Sequence, residues 1–390
     1  MNKGKYVFAQ VMALIHSEEF SRCVNAYQGN YRVRSFSCWH QFLCMSFGQL
    51  THRESLRDIV VCLNAQSSKL YHLGLTQGVK RSTLADANEK RDWRIYADLA
   101  QRLIAKARRL YGADMETAIE LDHVIYALDS STIELCLNVF WWAKFRKHKA
   151  AIKLHTLLDV KCQIPCFIHI TEGSVHDVNV LDILEFEVDA FYVMDRGYVD
   201  WTRLYHIHQA GAYFVIRAKD NLAFKRIYSH PVDKTTGLKC DQTIRLENFY
   251  AAKNYPVHLR RVKYYDKEHQ QTYVYLTNHF EAPALQIAIL YLNRWKVEIF
   301  FKWIKQHLKI KTFWGESPNA VKTQIWIAIC TFVLVAILKK KRNIPHSLNE
   351  MLQILSVSAF DKTPVNQLFM KIDTKNTDHP NSNQLNMFDL

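Results

Sequence analysis

The amino-acid sequence predicts an α/β protein in which an all-helical N-terminal domain precedes a mixed core that carries a β-rich insertion. The first 112 residues show amphipathic helical periodicity and no clear alternating strand. From residue 123 onward, short runs of β-branched and aromatic residues alternate with helical stretches. Residues 221–282 interrupt this alternation with segments rich in Tyr, Val and charge. The 390 residues, 49% of them hydrophobic, suffice for about two or three domains with a substantial core.

Helices of the N-terminal domain are predicted near 6–27, 35–47, 53–65 and 82–111. A basic helix that begins at Arg81 fits the second helix of a helix-turn-helix, because glycines at 74 and 78 break the chain before it. An ordinary helical bundle with a solvated basic face explains the same pattern equally well.

Five strands are predicted in the mixed core, and two helices separate the later ones. The strands cover 124–129, 151–160, 166–170, 190–195 and 212–218, and the helices cover 176–186 and 199–210. The order β-β-β-α-β-α-β is that of a ribonuclease-H-like fold, in which the first and fourth strands are expected to lie side by side.

The rest of the chain is predicted to contain a hairpin and two helices. The β-rich insertion is expected to pair 258–265 with 272–277. A long helix is predicted from about 283 to 310, and a buried helix at 325–338. The latter spans 14 mostly apolar residues, fewer than the roughly 18–20 that cross a bilayer. The polar, Asn-rich tail from about residue 373 is expected to be disordered.

Charge and composition narrow the function. The 51 Lys and Arg residues against 37 Asp and Glu give a formal charge of +14, which indicates a polyanionic partner or an anionic membrane surface. Neither GxxxxGKS/T nor GxGxxG occurs, so the use of ATP or NAD has no support. The nine cysteines show no regular pairing, which fits reduced thiols in a cytoplasmic protein.

Two aspartates are predicted to meet at one edge of the sheet. Asp129 ends the first predicted strand and Asp195 ends the fourth, so both carboxylates should emerge at the carboxyl edge of neighbouring parallel strands. Two carboxylates held this close repel each other unless a divalent cation binds them, and Mg²⁺ suits such hard oxygen ligands. The alternative for each residue alone is that an aspartate at a strand end simply begins a turn.

The predicted helix at 283–310 carries a third acid in an unusual setting. Tyr291, Arg294, Glu298 and Lys305 fall within about 60° of arc on one helical face. Glu298 is the single acid among six bases in 289–311. A surface ion pair with Lys302 would explain Glu298, but not the aligned tyrosine and arginine.

At this helix the chain resembles bacterial insertion-sequence transposases of the insertion-sequence-four group, whose YREK signature it carries as Tyr291-x2-Arg294-x3-Glu298-x6-Lys305. Asp129 and the motif Asp195-Arg-Gly-Tyr198 resemble the first two acids of the DDE triad in that family. The resemblance implies that Asp129, Asp195 and Glu298 are catalytic metal ligands. It also implies that Tyr291, Arg294 and Lys305 contact phosphates of the transposon ends.

The resemblance implies a DDE transposase that cleaves DNA at inverted-repeat ends and transfers the strands into target DNA. Mg²⁺ is the implied cofactor, with Mn²⁺ as a substitute, and a homodimer is expected on paired ends. The implied segments are 1–115 for DNA-end binding, 116–220 and 283–342 for the catalytic core, 221–282 for the insertion and 343–390 as a C-terminal segment. The alternatives are a ribonuclease-H-like nuclease that cuts without joining and a non-catalytic DNA-binding protein on this fold.

Further bases are candidates for contacts with the DNA backbone. Bases interleaved with aromatic residues follow the first acid and suit a DNA channel, although an exposed charged hairpin would look the same. These bases are Lys144, Arg146, Lys147, Lys149 and Lys153. Arg217 and Lys219 leave the fifth predicted strand on the same edge and are backbone contacts by family analogy.

The last seven residues, Gln384–Leu390, place apolar side chains at the end of a polar tail. They resemble the short peptide with which bacterial proteins dock on the replication sliding clamp, and the alternative is simple packing on the core. We therefore expect a cytoplasmic, nucleoid-associated protein that binds DNA and no membrane.

Overall fold

The computed structural model describes residues 4–75, 77–112, 123–146, 149–308, 310 and 313–370, with the backbone alone for 144–146, 149 and 307. The chain forms two compact units. The first comprises the described residues of 1–113, 134–142 and 301–390, and the second those of 114–133 and 143–300.

The described N-terminal part of the first unit contains helices and no strand, as predicted. The helices are α1 Val7–Met12, α2 Ser17–Ala26, α3 Cys38–Leu50, α4 Leu56–Asn64, α5 Arg81–Lys90 and α6 Arg94–Tyr111. The single helices predicted at 6–27 and 82–111 are each two. The second divides because Arg91 is extended and Asp92 accepts a hydrogen bond from the backbone N–H of Arg94 at 2.9 Å.

The spacing of α4 and α5 favours the ordinary helical bundle over the helix-turn-helix, the two alternatives for this segment. Such a motif joins its helices by a turn of about three or four residues. Here α4 ends at Asn64 and α5 begins at Arg81, and the connection includes two short three-ten turns, Ser67–Lys69 and Tyr71–Leu73. The Asn64 side chain fastens this connection, because it accepts from the backbone N–H of Val79 and donates to its carbonyl.

The first unit also contains α11 Pro318–Arg342, α12 Leu348–Ser358 and α13 Val365–Met370. By length and composition α11 could cross a membrane, but 94% of its most apolar window is buried within the protein. It packs against α6 and α3. The expectation of a buried core helix at 325–338 is therefore confirmed, and the helix extends beyond it at both ends. The predicted division into five functional segments remains a prediction.

The second unit is built on a ten-stranded mixed sheet. Its strands are β1 Ile125–Leu135, β2 Lys144–Arg146, β3 Lys149–Asp159, β4 Ile164–Glu172, β5 Phe191–Met194, β6 Tyr213–Arg217, β7 Phe224–His230, β8 Leu238–Leu246, β9 Leu259–Asp266 and β10 Gln271–Thr277. Their order is β2-β3-β1-β5-β6-β10-β9-β8-β7, with β4 beside β3. The five predicted core strands are present in the predicted order as β1, β3, β4, β5 and β6, and the short β2 is an unpredicted addition. The adjacency of the first and fourth predicted strands is confirmed, because β1 and β5 pair in parallel.

Two details of this unit differ from the prediction. The helix expected at 176–186 is a three-ten helix, Asp177–Asp182, and no side chain caps its N-terminus. The β-rich insertion contains the predicted hairpin as β9 and β10, with a short helix, α8 Phe249–Asn254, before it. Since β10 pairs with β6, the insertion continues the core sheet.

Candidate active site

Asp129 and Asp195 lie side by side at the end of the parallel pairing between β1 and β5. The last residues paired there are Leu128 and Met194, and the two aspartates follow them directly. Asp195 caps the three-ten helix Arg196–Tyr198 by accepting from the backbone N–H of Arg196 at 2.7 Å. Asp129, however, does not end its strand, because β1 continues to Leu135. It nevertheless occupies the sheet edge, since its parallel partner strand stops beside it.

The helix predicted at 283–310 is two helices, α9 Ala284–Leu292 and α10 Trp295–His307. Between them the backbone N–H groups of Arg294, Lys296 and Val297 bond to carbonyls three residues back, as in a three-ten turn. The Asn293 side chain donates to the carbonyl of Ile289 at 2.8 Å, which competes with the helical ladder. The YREK residues therefore do not share one continuous helix, and their alignment depends on this tight turn.

Contacts across the turn gather five of the predicted site residues. Arg294 bridges two acids: Nη1 lies 3.0 Å from Asp129 Oδ2, and Nη2 lies 2.6 Å from Glu298 Oε1. The Tyr291 hydroxyl donates to Asp195 Oδ1 at 3.3 Å. Segments that are 165 residues apart in the chain thus meet at one guanidinium group.

The insertion strand β10 packs against Tyr291 of this site. The ring of Tyr291 packs on Tyr275 of β10 with centroids 4.6 Å apart. Burial raises the pKa of Tyr291 to about 12, against the opposing effect of the Arg294 guanidinium. Tyr291 is therefore a neutral hydrogen-bond donor to Asp195 at physiological pH.

The carboxylates influence one another through a partly buried site. Burial raises the pKa of Asp129 to about 6. The Arg294 guanidinium and the backbone N–H of Ser130 oppose this rise, and the charges of Glu298 and Asp195 add to it. The side chains of Asp129 and Arg294 are 19% and 13% exposed, so solvent screens these interactions only in part. The charges of Glu298 and Asp195 both raise the pKa of Asp129, so the three acids form one electrostatic site.

The donor chemistry of this site fits a divalent cation. Three carboxylates supply the hard oxygen ligands that Mg²⁺ and Mn²⁺ prefer. In the described part of the chain, no group of three acidic, histidine or cysteine side chains is already arranged around a common metal position. Arg294 instead holds Asp129 and Glu298 by hydrogen bonds.

The other predicted phosphate contacts of the YREK helix and sheet edge are placed as follows. Lys305 lies on α10 and is half-buried. Arg217, the last residue of β6, stacks over the ring of Tyr273 at 5.2 Å. Lys219 donates to the carbonyl of Val199 at 3.3 Å. An open cavity of about 450 Å³ borders Lys219 and the turn that follows Asp195.

The predicted basic segment between the first strands divides into two groups. Lys144 and Arg146 lie on β2 and Lys149 begins β3, whereas Lys147 lies outside the described residues. Lys153 differs from these, because its side chain is only 12% exposed. Its ammonium group pairs with Asp177 at 3.0 Å and donates to the carbonyl of Val175 at 2.7 Å, so its charge is used within the protein.

Two residues near the acids have no role in the sequence-based assignment. Burial raises the pKa of Tyr198 well above its ordinary value, and the charges of Asp129, Asp177 and Asp195 add to this effect. Tyr198 therefore lies buried among these acids. Its position in the Asp195-Arg-Gly-Tyr198 motif was the available signal. Asp177 carried no comparable signal, because an aspartate before a helix most often serves as a cap.

A ribonuclease-H-like sheet with two aspartates at its carboxyl edge, and with Glu298 of α10 joined to Asp129 through Arg294, indicates a class, the metal-dependent enzymes of phosphoryl transfer on nucleic acids. Residues 120–334 match the family described as transposase DDE domain, which is more than half of the chain. The chain therefore belongs to the DDE transposase family. Residues 3–76 match a separate family described as a domain of unknown function, DUF4372.

Curated relatives agree with this family. The chain is 33% identical to y4zB of Sinorhizobium fredii, a protein named as a transposase, over 65% of this chain and 70% of the relative. A Geobacillus stearothermophilus protein named as the transposase of insertion sequence element IS5377 is 29% identical to this chain. That match covers 64% of this chain and 67% of the relative. A Synechocystis protein named for element IS4SA is 23% identical over 66% of this chain and 71% of its own.

The predicted family and activity are thereby confirmed. The chain is a transposase, an enzyme that cleaves and transfers DNA with the help of divalent metal ions. It acts on DNA in the cytoplasm, which agrees with its formal charge of +14.

Proposed function

We propose that Asp129, Asp195 and Glu298 are the metal ligands of this transposase and that Mg²⁺ is the ion used, with Mn²⁺ as a substitute. The observation that supports this assignment is the bridge from Arg294 to Asp129 and Glu298, with Tyr291 on Asp195 beside it. These contacts bring three acids from distant parts of the chain into one partly buried site. Together they supply the ligands that a pair of divalent ions requires.

The residues around the acids have distinct tasks in this proposal. The bound ions would activate water or a 3′-hydroxyl group and stabilise the leaving oxygen. Arg294 and Lys305 bind the phosphates of the transposon ends, and a guanidinium suits this role because it matches two phosphate oxygens at once. Tyr291 contacts these phosphates as well, and without DNA its neutral hydroxyl donates a hydrogen bond that keeps Asp195 oriented.

A wider surface would hold the DNA backbone. We assign backbone contacts to Arg217 at the end of β6, to Lys219 beside the open cavity next to Asp195, and to the bases of the β2–β3 segment. These bases are Lys144, Arg146, Lys147 and Lys149. Lys153 is not assigned to DNA, because its ammonium group is paired with Asp177.

Assembly and targeting complete the proposal. The enzyme works as a homodimer on paired ends, and residues 1–115 bind the end sequence. Gln384–Leu390, which lies outside the described residues, docks on the sliding clamp and associates the enzyme with the nucleoid. Calorimetry with a tail peptide and purified clamp tests this docking, and an absence of heat at micromolar concentrations would refute it.

The activity of the three acids is tested by supplying labelled inverted-repeat ends and a target plasmid. Wild-type protein should release the ends and join them to the plasmid in the presence of Mg²⁺. Asp129→Ala, Asp195→Ala and Glu298→Ala should each abolish cleavage and joining while DNA binding persists. Asp182→Ala is the matched control, because Asp182 is an exposed acid of the same unit that pairs with Arg203.

Each alternative gives a different result in this assay. A nuclease would release ends without a joined product. A non-catalytic DNA-binding protein would give neither product, and the three alanine variants would not differ from the wild type. Either result would contradict the proposed function.

A further inference from the structure

We propose that Arg294 is a positioning residue that holds Asp129 and Glu298 together before metal binds, and that it moves to a DNA phosphate when metal enters. Binding of metal and binding of DNA would then favour each other. This proposal rests on the proposed function, because it takes Asp129 and Glu298 as metal ligands.

The geometry places the guanidinium group on the atoms that a metal would need. Arg294 donates to Asp129 Oδ2 at 3.0 Å and to Glu298 Oε1 at 2.6 Å, with its side chain 13% exposed. Both contacts are charge-assisted hydrogen bonds, which are the stronger kind. Arg294 is therefore the internal cation of the site in the absence of metal.

Charge balance explains why a cation must be present at this position. The side chains of Asp129 and Glu298 are 19% and 33% exposed, so water screens their mutual repulsion incompletely. Like charges in such a setting are costly unless a positive group lies between them. Either the guanidinium or a divalent cation can supply that charge. A guanidinium and a divalent cation cannot occupy the same position between the two carboxylates, so a metal that bridges Asp129 and Glu298 there displaces at least one of the two hydrogen bonds of Arg294.

The hydrogen-bonding capacity of Arg294 is not exhausted by the two acids. Its Nε atom is buried and has no hydrogen-bond partner among the residues that the structure describes. A buried donor without a partner is unfavourable, so the present position is not the best that this side chain could have. A phosphate group would accept two parallel hydrogen bonds from Nε and Nη, which is the preferred geometry of arginine.

A displaced guanidinium thus gains a new partner only when DNA is bound. Metal favours the state in which Arg294 has left the acids, and DNA phosphate favours that same state. Two ligands that prefer one state raise each other's affinity by an equal factor. Metal should therefore bind more tightly to the protein–DNA complex than to the protein alone.

The experiment measures this coupling without relying on catalysis. Ca²⁺, a hard ion with oxygen ligands, is titrated by calorimetry into full-length protein alone and into its complex with an inverted-repeat duplex. A gel then verifies that the duplex is intact. We expect wild-type protein to bind Ca²⁺ about 5- to 150-fold more tightly in the complex, the usual range of such coupling.

Variants of Arg294 separate this mechanism from a general charge effect. Arg294→Gln should bind Ca²⁺ more tightly than the wild type without DNA, and it should lose most of the DNA-dependent gain. Arg294→Lys keeps the positive charge but cannot donate two parallel hydrogen bonds to one phosphate, so it should also lose most of the DNA-dependent gain. This variant replaces Arg294→Gln in the experiment if the glutamine variant does not fold. Arg245→Gln is the matched control, because Arg245 is an exposed arginine of β8 in the same unit and should retain the full gain.

The outcomes distinguish this proposal from the proposed function. If Asp129→Ala and Glu298→Ala bind Ca²⁺ as the wild type does, the assignment of the metal ligands is wrong. If those variants lose Ca²⁺ but the wild type shows no DNA-dependent gain, only the proposal for Arg294 is wrong. A gain of the same size in wild type and Arg294→Gln would also overturn it.

Discussion

The raised pKa of Asp129 predicts how the stability of the metal-free protein depends on pH. Burial raises this pKa from 3.8 to about 6, so the folded state holds a proton that the unfolded state releases. The ionised carboxylate therefore disfavours folding, and its cost develops as pH rises from about 4 to about 6. The difference between the pKa values of the folded and unfolded states corresponds to about 3 kcal/mol in total, at about 1.4 kcal/mol per pH unit.

Asp129→Asn removes this titration while nearly keeping the shape of the side chain. The free energy of unfolding of the wild type, minus that of Asp129→Asn, should fall by about 2–3 kcal/mol between pH 4 and pH 7. Urea unfolding at a series of pH values, with EDTA present, measures this difference. Because the two proteins share all other titrating groups, the subtraction isolates the effect of Asp129 to first order.

Asp182→Asn provides a control of opposite sign. A hydrogen bond from Arg203 lowers the pKa of Asp182, so the ionised form of Asp182 favours folding. Wild-type protein should gain stability relative to Asp182→Asn as pH rises, and should lose that advantage as pH falls. A wild-type minus Asp129→Asn difference that is flat in pH, or that rises with pH, would refute the assignment of Asp129 to a buried, repulsive environment.

Three further predictions concern the insertion and the DNA surface. Asp241→Ala should lower the free energy of unfolding by about 3–5 kcal/mol in urea, because it leaves Arg260 buried without its carboxylate partner at 2.7 Å; a loss below 1 kcal/mol would contradict this. Gly237→Ala should cost about 1–3 kcal/mol by the same assay, since φ is +95° and a Cβ would lie 2.6 Å from a β9 carbonyl oxygen; an unchanged midpoint would be the contrary result. Replacement of Arg217 or Lys219 by Gln should each reduce the slope of log K against log salt by about 1, and an unchanged slope would exclude a phosphate contact.

The order of the core strands along the chain could be predicted, because strands are marked by the pattern of hydrophobic residues. Runs of β-branched residues gave the strand order, and the fold rule for that order gave the adjacency of β1 and β5. The same rule placed Asp129 beside Asp195. The continuation of β1 to Leu135 was not visible, because Ser130, Ser131 and Thr132 resemble a turn more than a strand.

The break between α9 and α10 illustrates a local feature that periodicity cannot reveal. Apolar residues continue on both sides of this break, so their periodicity does not reveal the three-ten turn. Its marker is a single side-chain hydrogen bond from Asn293 to Ile289, and asparagine within a helix is too common to indicate a break by itself.

The pairing of Lys153 with Asp177 illustrates a tertiary feature of the same kind. Counting charges places Lys153 among five candidate DNA contacts. The count cannot tell which side chain is buried, or that a partner 24 residues away will neutralise it. Arg294 is similar, because its spacing predicts a place near Glu298 but not its second bond to Asp129.

The assignment of the three acids as metal ligands is tested most directly by anomalous diffraction from crystals of the protein with inverted-repeat DNA and Mn²⁺. We expect the manganese signal to lie among the carboxylates of Asp129, Asp195 and Glu298. A signal remote from any one of these side chains would contradict the account of the site.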